Sequence, residues 1–266
     1  MSLKALIFDA DGTLADTEET HRQAFNLAFL EFDLQWEWDI ARYRELLHVS
    51  GGKERVTHYI DTLPLSAPEK ARLRELVPLV HRAKTRIYNE LIGDGRAPLR
   101  PGVARLIREA HEAGLELAVA STTTLANAEA LISRHLGRRA FHWFSVMACG
   151  DQVPAKKPAP DIYRRALGSL RLPASACVAF EDSANGLRAA RAAGLFTVVT
   201  PTPWTVDQDF GGAGLVLANL GDPGKPLSSA DRAAIGAPWL GVAELERLLV
   251  TATARPPGER IGVVRC

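Results

Sequence analysis

Cysteine is scarce in this sequence. The 266 residues include three cysteines, Cys149, Cys177 and Cys266, an odd number without CxxC spacing. This usage excludes a disulfide framework and a structural zinc site, and it indicates a reducing compartment in which the thiols serve packing. The first predicted strand begins at Leu3, which leaves no room for a signal peptide, and no apolar run approaches the length of a membrane span. We therefore expect a cytoplasmic protein.

An excess of charge of either sign is also absent. The formal net charge is +1, and acidic and basic residues are mixed along the chain. Proteins that bind nucleic acid or an anionic membrane surface usually carry a concentrated basic patch. The charge balance therefore favours a small molecule as the partner, with neither nucleic acid nor a membrane involved. We expect the protein to be a monomer.

Apolar strands alternate with helices over most of the chain. Strands are predicted at Leu3 to Phe8, Leu115 to Ala120, Phe144 to Ala148, Cys177 to Phe180, Phe196 to Thr200 and, at an edge, Leu215 to Leu217. Helices are predicted at Val103 to Ala113, Leu125 to Leu136, Asp161 to Leu170, Ser183 to Ala193 and Val242 to Val250. This alternation predicts an α/β fold with a doubly wound, mainly parallel sheet that is covered on both faces. The tail from Ala254 to Cys266 is predicted to be loose.

The segment between the first two strands is helical throughout. Helical spacing runs from Thr17 to Phe32, Ile40 to Leu47, Lys53 to Leu63 and Pro68 to Leu91. Asp16 or Thr17 can cap the first of these helices. The pattern predicts an inserted all-helical domain over residues 17–97 within a core of residues 1–16 and 98–266, with hinges near Asp16 and Pro98. Trp36 and Trp38 lie in the insertion, where we expect them to pack rather than stack on a ligand.

Two carboxylates, Asp9 and Asp11, follow the first predicted strand. The carboxyl end of a parallel strand aims its last side chains into the crevice where open α/β folds bind ligands. Alternate residues of an extended segment point the same way, so both carboxylates can face a hard cation such as Mg²⁺. One Asp can then attack phosphorus while the other transfers a proton. A calcium loop would need Gly where this chain has Leu14, and an ordinary Asx turn is the remaining alternative.

Polar residues follow two further predicted strands. Ser121 can hold a phosphate oxygen together with the N–H groups that open the next helix, or it can simply cap that helix. Glu181 and Asp182 can complete a Mg²⁺ site, or they can cap the helix that follows them.

A basic pair, Lys156 and Lys157, lies between these two strand ends in the sequence. Either lysine can neutralise the nucleophile and the transferring phosphoryl group, and a solvated basic loop is the alternative. The sequence does not decide which of the two reaches the site. Together with the carboxylates and Ser121, a lysine here supplies the positioning and charge compensation that phosphoryl transfer needs.

These residues resemble the four motifs of the haloacid dehalogenase-like superfamily of phosphatases and phosphomutases. The matching segments are Asp9-Ala10-Asp11-Gly12-Thr13-Leu14, Ser121, Lys157-Pro158 and Glu181-Asp182-Ser183-Ala184-Asn185-Gly186. The resemblance implies that Asp9 is the nucleophile and Asp11 the general acid and base, with Ser121 and Lys157 on the transferring phosphate. It also implies that Asp9, the Asp11 backbone carbonyl and Asp182 hold Mg²⁺, with Glu181 in the outer shell. The helical insertion then corresponds to the mobile cap of that superfamily.

A narrower resemblance concerns the substrate. The segments Asp16 to Arg22, Trp36 to Trp38, Gly51 to Arg55, His81 to Thr85 and Lys156 to Tyr163 resemble the CbbY-type phosphatases of the Calvin cycle. Those enzymes remove the 1-phosphate of xylulose 1,5-bisphosphate, an inhibitory by-product of rubisco. The resemblance implies that Glu18 contacts the sugar and that Lys53, Arg55, Arg82 and Lys84 are candidates for the distal phosphate, a role also suggested by the glycine turn and helix start beside Lys53. The full set of candidate substrate contacts is Glu18, His21, Gly52, Lys53, Arg55, Arg82, Lys84, Ser121, Thr122, Asn127 and Lys157.

Two alternative functions stay open at this stage. A β-phosphoglucomutase-type enzyme shares the core and the cap, and His21 falls where that enzyme carries a cap histidine. For a phosphatase, we interpret His21 as an ordinary helix-surface residue. A non-catalytic phospho-acceptor or binding protein is the remote alternative, and it is disfavoured because a general acid and base two residues after the acceptor speeds turnover. The three functions differ in the group that accepts the phosphoryl group: water for a phosphatase, a sugar hydroxyl for a mutase, and none for a non-catalytic protein.

Overall fold

A computed structural model of the chain describes residues 2–150 and 152–254. It contains one six-stranded parallel sheet with the strand order β3-β2-β1-β4-β5-β6. The strands are β1 (Ala5–Phe8), β2 (Glu116–Ser121), β3 (Phe144–Cys149), β4 (Cys177–Glu181), β5 (Phe196–Val199) and β6 (Leu215–Val216). The predicted α/β class and parallel sheet are confirmed, because every pairing between neighbouring strands is parallel.

Helices occupy the connections between the strands. They are α1 (Glu18–Glu31), α2 (Ile40–Leu46), α3 (Gly52–Thr62), α4 (Ala67–Gly93), α5 (Val103–Glu112), α6 (Leu125–Leu136), α7 (Arg138–Phe141), α8 (Asp161–Leu170), α9 (Ala184–Ala192), α10 (Ser229–Ile235) and α11 (Val242–Ala254). A 3₁₀ turn, Ala174–Ala176, precedes β4. Among the described residues, no helix is long and apolar enough to span a membrane.

Both faces of the sheet are covered. Leu6 and Phe8 of β1 point into a core shared with α5 and α11, whereas Ala5 and Ile7 pack on the opposite face with residues of α8 and α9. This alternation follows from the period of two in an extended strand. Continuous burial on both faces explains why β1 is apolar throughout and why β4 is apolar up to Glu181 at its carboxyl end. The doubly wound arrangement is therefore observed.

The insertion after β1 consists of α1 to α4, as its spacing predicts. Trp38 is fully buried, and its ring centroid lies 4.9 Å from that of Phe25 and 4.8 Å from that of Phe29. Trp36 packs edge-on against Phe29 at 5.3 Å. The prediction that both tryptophans pack is confirmed. The two chain segments that join this insertion to the sheet meet in an isolated antiparallel bridge between Ala15 and Leu99, and the domain boundaries proposed near them stay predictions.

Two short helices, α7 and α10, were not predicted from the sequence. The single turn of α7 follows Gly137, and α10 follows Ser228, whose hydroxyl accepts a hydrogen bond from the N–H of Asp231 at 3.1 Å. These two segments show too little helical periodicity to stand out from loop sequence. The last helix, α11, is longer than predicted and includes Ala254, so the start of the predicted loose tail is wrong, and the remainder of that tail lies outside the described residues. Cys149 and Cys177 are free and buried, as expected for packing thiols.

The Phe8 and Phe180 rings join the two strands that end at the carboxylates. Their centroids are 4.6 Å apart in a stacked arrangement, and both side chains are buried. Truncation of a buried phenylalanine removes apolar contacts and leaves a cavity. We expect Phe180→Ala to lower the free energy of unfolding by about 3–5 kcal/mol in urea titrations. Leu30→Ala, at a side chain that is 67% exposed, is the matched control and should change it by less than about 0.5 kcal/mol. Equal losses in both variants would contradict this packing.

Candidate active site

The predicted site residues meet at the carboxyl edge of the sheet. Asp9 follows β1, Ser121 ends β2, and Glu181 ends β4 with Asp182 after it. β1 lies between β2 and β4 in the sheet, so the three strand ends are neighbours. The chain winds toward β3 on one side of β1 and toward β6 on the other, which places these residues at the point where open α/β sheets form their ligand crevice.

Lys157 reaches Asp9, and Lys156 does not. The Lys157 ammonium donates to Asp9 Oδ1 at 2.5 Å and to Glu181 Oε1 at 2.6 Å, and it is buried. The Lys156 ammonium instead donates to the carbonyl oxygen of Gly150 at 2.6 Å. Burial lowers the pKa of Lys157, but the charges of Asp9 and Glu181 outweigh burial and raise it above its usual value. Lys157 is therefore a fixed positive charge.

Three carboxylates lie together beside this one lysine. Oxygen atoms of Asp9, Glu181 and Asp182 all lie within 4.8 Å of one another, and all three side chains are buried. Burial is the largest cause that raises the pKa of Asp9, to about 7, against the opposing charge of Lys157. Burial and then the neighbouring Asp9 and Glu181 raise the pKa of Asp182 well above its usual range. With all three carboxylates ionised, the cluster would carry more negative charge than Lys157 compensates, and the raised pKa values of Asp9 and Asp182 reflect this.

This donor set fits a hard divalent cation. It consists of carboxylate oxygens only, the ligands that Mg²⁺ prefers. Glu181 Oε1 accepts from Lys157 and from the Tyr163 hydroxyl, while Glu181 Oε2 is buried without a hydrogen-bond partner among the described residues. Gly12 closes the cradle, because it has φ of 79° and a Cβ there would lie 2.2 Å from Asp182 Oδ2. Unsatisfied buried oxygen and uncompensated charge are what a bound cation would relieve.

Asp11 lies in a different environment from Asp9. Its Oδ1 accepts from the Thr17 hydroxyl at 2.8 Å and lies 2.8 Å from His21 Nε2. Burial raises the pKa of Asp11, but the His21 contact, the charge of Lys84 and the Thr17 hydrogen bond outweigh burial, so that the pKa is lowered. Of the two predicted cap residues, Thr17 is the N-cap residue of α1, but its hydroxyl bonds to Asp11 and makes no capping hydrogen bond to the helix.

His21 is not a helix-surface residue, which corrects our interpretation for a phosphatase. It is 5% exposed, its ring stacks on Tyr88 at 4.1 Å, and its Nδ1 lies 2.5 Å from Lys84 Nζ. A lysine ammonium can only donate, so Nδ1 accepts and the ring proton lies on Nε2, where it faces Asp11. The helical pattern of α1 could not reveal this burial, because α4 covers the ring from a distant part of the sequence.

The end of β2 and the start of α6 form the opposite wall. Ser121 is 1% exposed, and its hydroxyl oxygen accepts from the N–H of Thr123 at 3.2 Å. The cap of α6 is Thr124, which accepts from the N–H of Asn127 at 3.2 Å, so Ser121 is not the helix cap. The Asn127 amide donates to the Thr123 hydroxyl at 3.1 Å.

One cavity of about 370 Å³ joins this edge to the helical insertion. Predicted residues that line it are Asp9, Asp11, Glu18, His21, Gly52, Arg55, Lys84, Ser121, Thr122, Asn127, Lys157, Glu181 and Asp182. Lys53 and Arg82 do not line it but face a second, outer cavity, and His81 and Thr124 contribute to both. Within the insertion, the Tyr43 hydroxyl donates to Glu18 Oε2 at 2.8 Å and accepts from Arg55 Nη1 at 3.0 Å.

Several lining residues were not predicted. They are His48, Ser50, His81, Asn185, Arg188, Thr205, Gln208 and Asp209, among others. Asn185 falls inside a quoted motif, which could have pointed to it. Thr205, Gln208 and Asp209 follow β5 in a loop without a sequence signal, although the Gln208 side chain accepts from the N–H of Ala184 at 2.7 Å beside Asp182.

Comparisons with known proteins agree with this geometry. A family model described as haloacid dehalogenase-like hydrolase matches residues 3–194. The plasmid-encoded protein CbbY of Cupriavidus necator is 52% identical over 225 residues, which cover 85% of this chain and 89% of that protein. The crystal structure of CbbY from Rhodobacter sphaeroides in complex with phosphate has a TM-score of 0.75 and 46% identity, and the match covers 82% of this chain and 94% of that one.

A second crystal structure of that CbbY, a mutant in complex with xylulose-(1,5)bisphosphate, matches with the same TM-score of 0.75 and 46% identity over the same shares, 82% of this chain and 94% of that one. The family match covers more than half of the chain and includes all four motif regions. The chain therefore belongs to the haloacid dehalogenase-like hydrolases.

Proposed function

We propose that this protein is a Mg²⁺-dependent phosphatase that removes the 1-phosphate of xylulose 1,5-bisphosphate and leaves xylulose 5-phosphate. The observation that carries the proposal is the single cavity of about 370 Å³ with a nucleophile cluster at one end and cationic groups of the helical insertion at the other. Two ends of this kind suit a substrate with two phosphate groups. The 52% identity to CbbY of Cupriavidus necator and the bisphosphate complex of the Rhodobacter sphaeroides protein support it.

Asp9, Asp182 and the backbone carbonyl of Asp11, with Glu181 behind them, would hold the Mg²⁺ ion. When bound, the ion would neutralise charge on the transferring phosphoryl group and on the attacking carboxylate. Lys157 contributes a second, permanent positive charge at the same place, since it already contacts Asp9. Ser121, Thr122 and the N-terminus of α6, which line the cavity with Asn127, would hold the remaining phosphate oxygens.

The chemistry proceeds in two halves. An Asp9 carboxylate oxygen attacks phosphorus, the bond from phosphorus to the sugar oxygen breaks, and Asp11 gives that oxygen a proton. Water then attacks the aspartyl phosphate and loses a proton to Asp11, which releases inorganic phosphate and restores Asp9. The contacts from Thr17 and His21 keep the Asp11 side chain in the same position for both proton transfers. The lowered pKa of Asp11 favours the carboxylate form that accepts the proton of water in the second half. The first half needs the protonated form, and the proton taken from water in the preceding turnover supplies it.

The opposite end of the cavity would bind the sugar and the distal phosphate. Glu18 lies there with one oxygen fixed by Tyr43, leaving its carboxylate oriented for sugar hydroxyls. Arg55 is buried, with the Tyr43 hydroxyl and the Val49 carbonyl as its acceptors. We assign the distal phosphate to Arg55 and to the N-terminus of α3 at Gly52. Lys53 and Arg82 belong to the outer cavity and would attract the anion from solution.

The biological setting follows from the substrate. Removal of a rubisco inhibitor would place this activity beside the Calvin cycle. The low cysteine content supports a cytoplasmic location. The location and the monomeric state both stay predictions.

The first prediction concerns substrate choice. With Mg²⁺, we expect kcat/KM for xylulose 1,5-bisphosphate to exceed that for ribulose 1,5-bisphosphate, fructose 1,6-bisphosphate and β-glucose 1-phosphate by at least about tenfold, because two anchored ends discriminate between sugars. The measurement is phosphate release, with Asp9→Asn as the inactive control. Activity that needs Asp9 but is equal across the panel would refute the substrate assignment while leaving the phosphatase chemistry. Conversion of β-glucose 1-phosphate to glucose 6-phosphate would instead indicate a mutase.

The second prediction separates the role of Arg55, in the inner cavity, from that of the cationic residues of the outer cavity. Arg55→Ala should raise KM for xylulose 1,5-bisphosphate by about 10- to 100-fold, the effect of losing a charged hydrogen-bond donor. KM for p-nitrophenyl phosphate, which lacks a distal phosphate, should stay within about twofold. Arg82→Ala, the control from the outer cavity, should have a smaller effect on the bisphosphate. Equal changes for both substrates, or a larger effect at Arg82, would contradict the assignment of Arg55.

The third prediction tests the metal site without an activity assay. The pKa of Asp9 is raised from 3.8 to about 7 in the folded protein. Protonation of Asp9 therefore stabilises the folded protein fully below about pH 3.8, and this stabilisation is lost as the pH rises through about 7. In EDTA, Asp9→Asn should therefore raise Tm relative to the unsubstituted protein more at pH 8 than at pH 5. Added Mg²⁺ should raise Tm of the unsubstituted protein at pH 8 more than that of Asp9→Asn.

The control for this measurement is Asp94→Asn, at an exposed carboxylate of the insertion. Its effect on Tm should be the same at both pH values and with or without Mg²⁺. A Tm difference for Asp9→Asn that is independent of pH would contradict the raised pKa of Asp9. A Tm of the unsubstituted protein that Mg²⁺ does not raise would exclude the cluster as a metal site.

A further inference from the structure

Asn185 connects the sheet edge to the helical insertion. It lies in the first turn of α9, three residues after Asp182. Its amide nitrogen donates to the carbonyl oxygen of His48 at 2.8 Å and to the Ser50 hydroxyl at 3.1 Å. His48 and Ser50 belong to the loop between α2 and α3. A residue next to the candidate metal ligands therefore bonds directly to the loop that leads into α3.

Arg188, one turn later on α9, fixes the orientation of that amide. Its Nη2 donates to Asn185 Oδ1 at 2.5 Å. An amide has one accepting end and one donating end, so a guanidinium on the oxygen turns the NH₂ group away from itself. That NH₂ group faces His48 and Ser50. Arg188 thus acts on the insertion through Asn185, and it also lines the active-site cavity.

The loop held by Asn185 determines where α3 begins. Gly51 follows Ser50 with φ of 95°, and its carbonyl oxygen accepts from the N–H of Arg55 at 3.0 Å in the first turn of α3. The Arg55 guanidinium is tied to the same loop through the Val49 carbonyl at 3.3 Å. The position of this loop therefore sets the position of the helix N-terminus and of Arg55 relative to Asp182 and Asp9.

We propose that Asn185 and Arg188 form a clasp, made with the His48 carbonyl and the Ser50 hydroxyl, that fixes the distance between the two ends of the cavity. The clasp selects substrates whose second anionic group reaches α3 while the first lies at Asp9. Both residues are positioning residues for sugar bisphosphates and have no part in the bond-breaking step. This inference rests on the proposed function for its choice of substrate class.

Kinetics with two substrates tests the clasp. Asn185→Ala should lower kcat/KM for xylulose 1,5-bisphosphate by about five- to tenfold, mainly through KM, as expected for the loss of one or two hydrogen bonds. Values for p-nitrophenyl phosphate should stay within about twofold, because that substrate does not use the distal end. Arg139→Ala, at an exposed arginine of α7, is the matched control and should change neither substrate. A loss of the same size for both substrates would overturn the proposal.

A double-mutant cycle tests the order of action. Arg188→Ala alone should give the same kind of loss as Asn185→Ala, but smaller. The variant with both substitutions should be no worse than Asn185→Ala, because Arg188 has no further effect once the amide is gone. Additive losses would show that Arg188 acts independently of Asn185 and would refute the clasp as described.

Amide hydrogen exchange gives a measurement that needs no substrate. In the free protein, exchange over residues 47–55 should be faster in Asn185→Ala and Arg188→Ala than in the unsubstituted protein and unchanged in Arg139→Ala. Unchanged exchange in both clasp variants would overturn the proposal whatever the substrate proves to be. Faster exchange combined with no preference for xylulose 1,5-bisphosphate would retain the clasp and reject the substrate assignment.

Discussion

Excess negative charge buried at one edge of the sheet is the constraint on which the site depends. Oxygen atoms of Asp9, Glu181 and Asp182 lie within 4.8 Å of one another, and the single positive charge of Lys157 contacts two of these residues. Ionised carboxylates are costly to bury unless they are paired or bind a metal. A divalent cation and a phosphoryl group would together complete this arrangement. The cation would offset the negative charge of the carboxylates, and Lys157 would offset part of the charge of the incoming phosphate.

The two carboxylates of the first motif show how neighbouring residues acquire opposite properties. Burial beside other carboxylates raises the pKa of Asp9, whereas the contacts with His21 and Thr17 lower that of Asp11. Residue 9 is held by the sheet, and residue 11 is held mainly by the helical insertion. The environment of Asp9, the proposed nucleophile, is therefore complete within the core, while that of Asp11, the proposed proton-transfer group, requires α1 and α4 to be in place. Separated environments of this kind are how two identical side chains take different roles.

Sequence patterns predicted the parts of this site that depend on local structure. Asp9, Ser121 and Glu181 were found because parallel strands end at a common edge, and that edge is fixed by apolar runs such as Cys177 to Phe180. The burial of His21 and the choice of Lys157 over Lys156 were beyond reach, since both depend on side chains that meet across long sequence separations. The same limit applies to Arg55 and Arg82. Both are arginines on amphipathic helices, and only the packing of α3 against α4 decides which faces the inner cavity.

Several contacts join the insertion to the core. Besides Asn185, the insertion contacts the loop after β5 through Tyr43 against Trp204, with ring centroids 5.6 Å apart, and through Arg44 to Asp207 at 3.3 Å. Ion pairs between exposed side chains, such as the one between Arg44 and Asp207, contribute little to stability. The deeper contacts, from Thr17 and His21 to Asp11, lie inside the cavity. Under the proposed function, a sugar bisphosphate that reaches both Asp9 and Arg55 would join the two parts further, whereas inorganic phosphate at Asp9 alone would not. Selectivity for two-ended substrates and release of phosphate would then follow from the same feature.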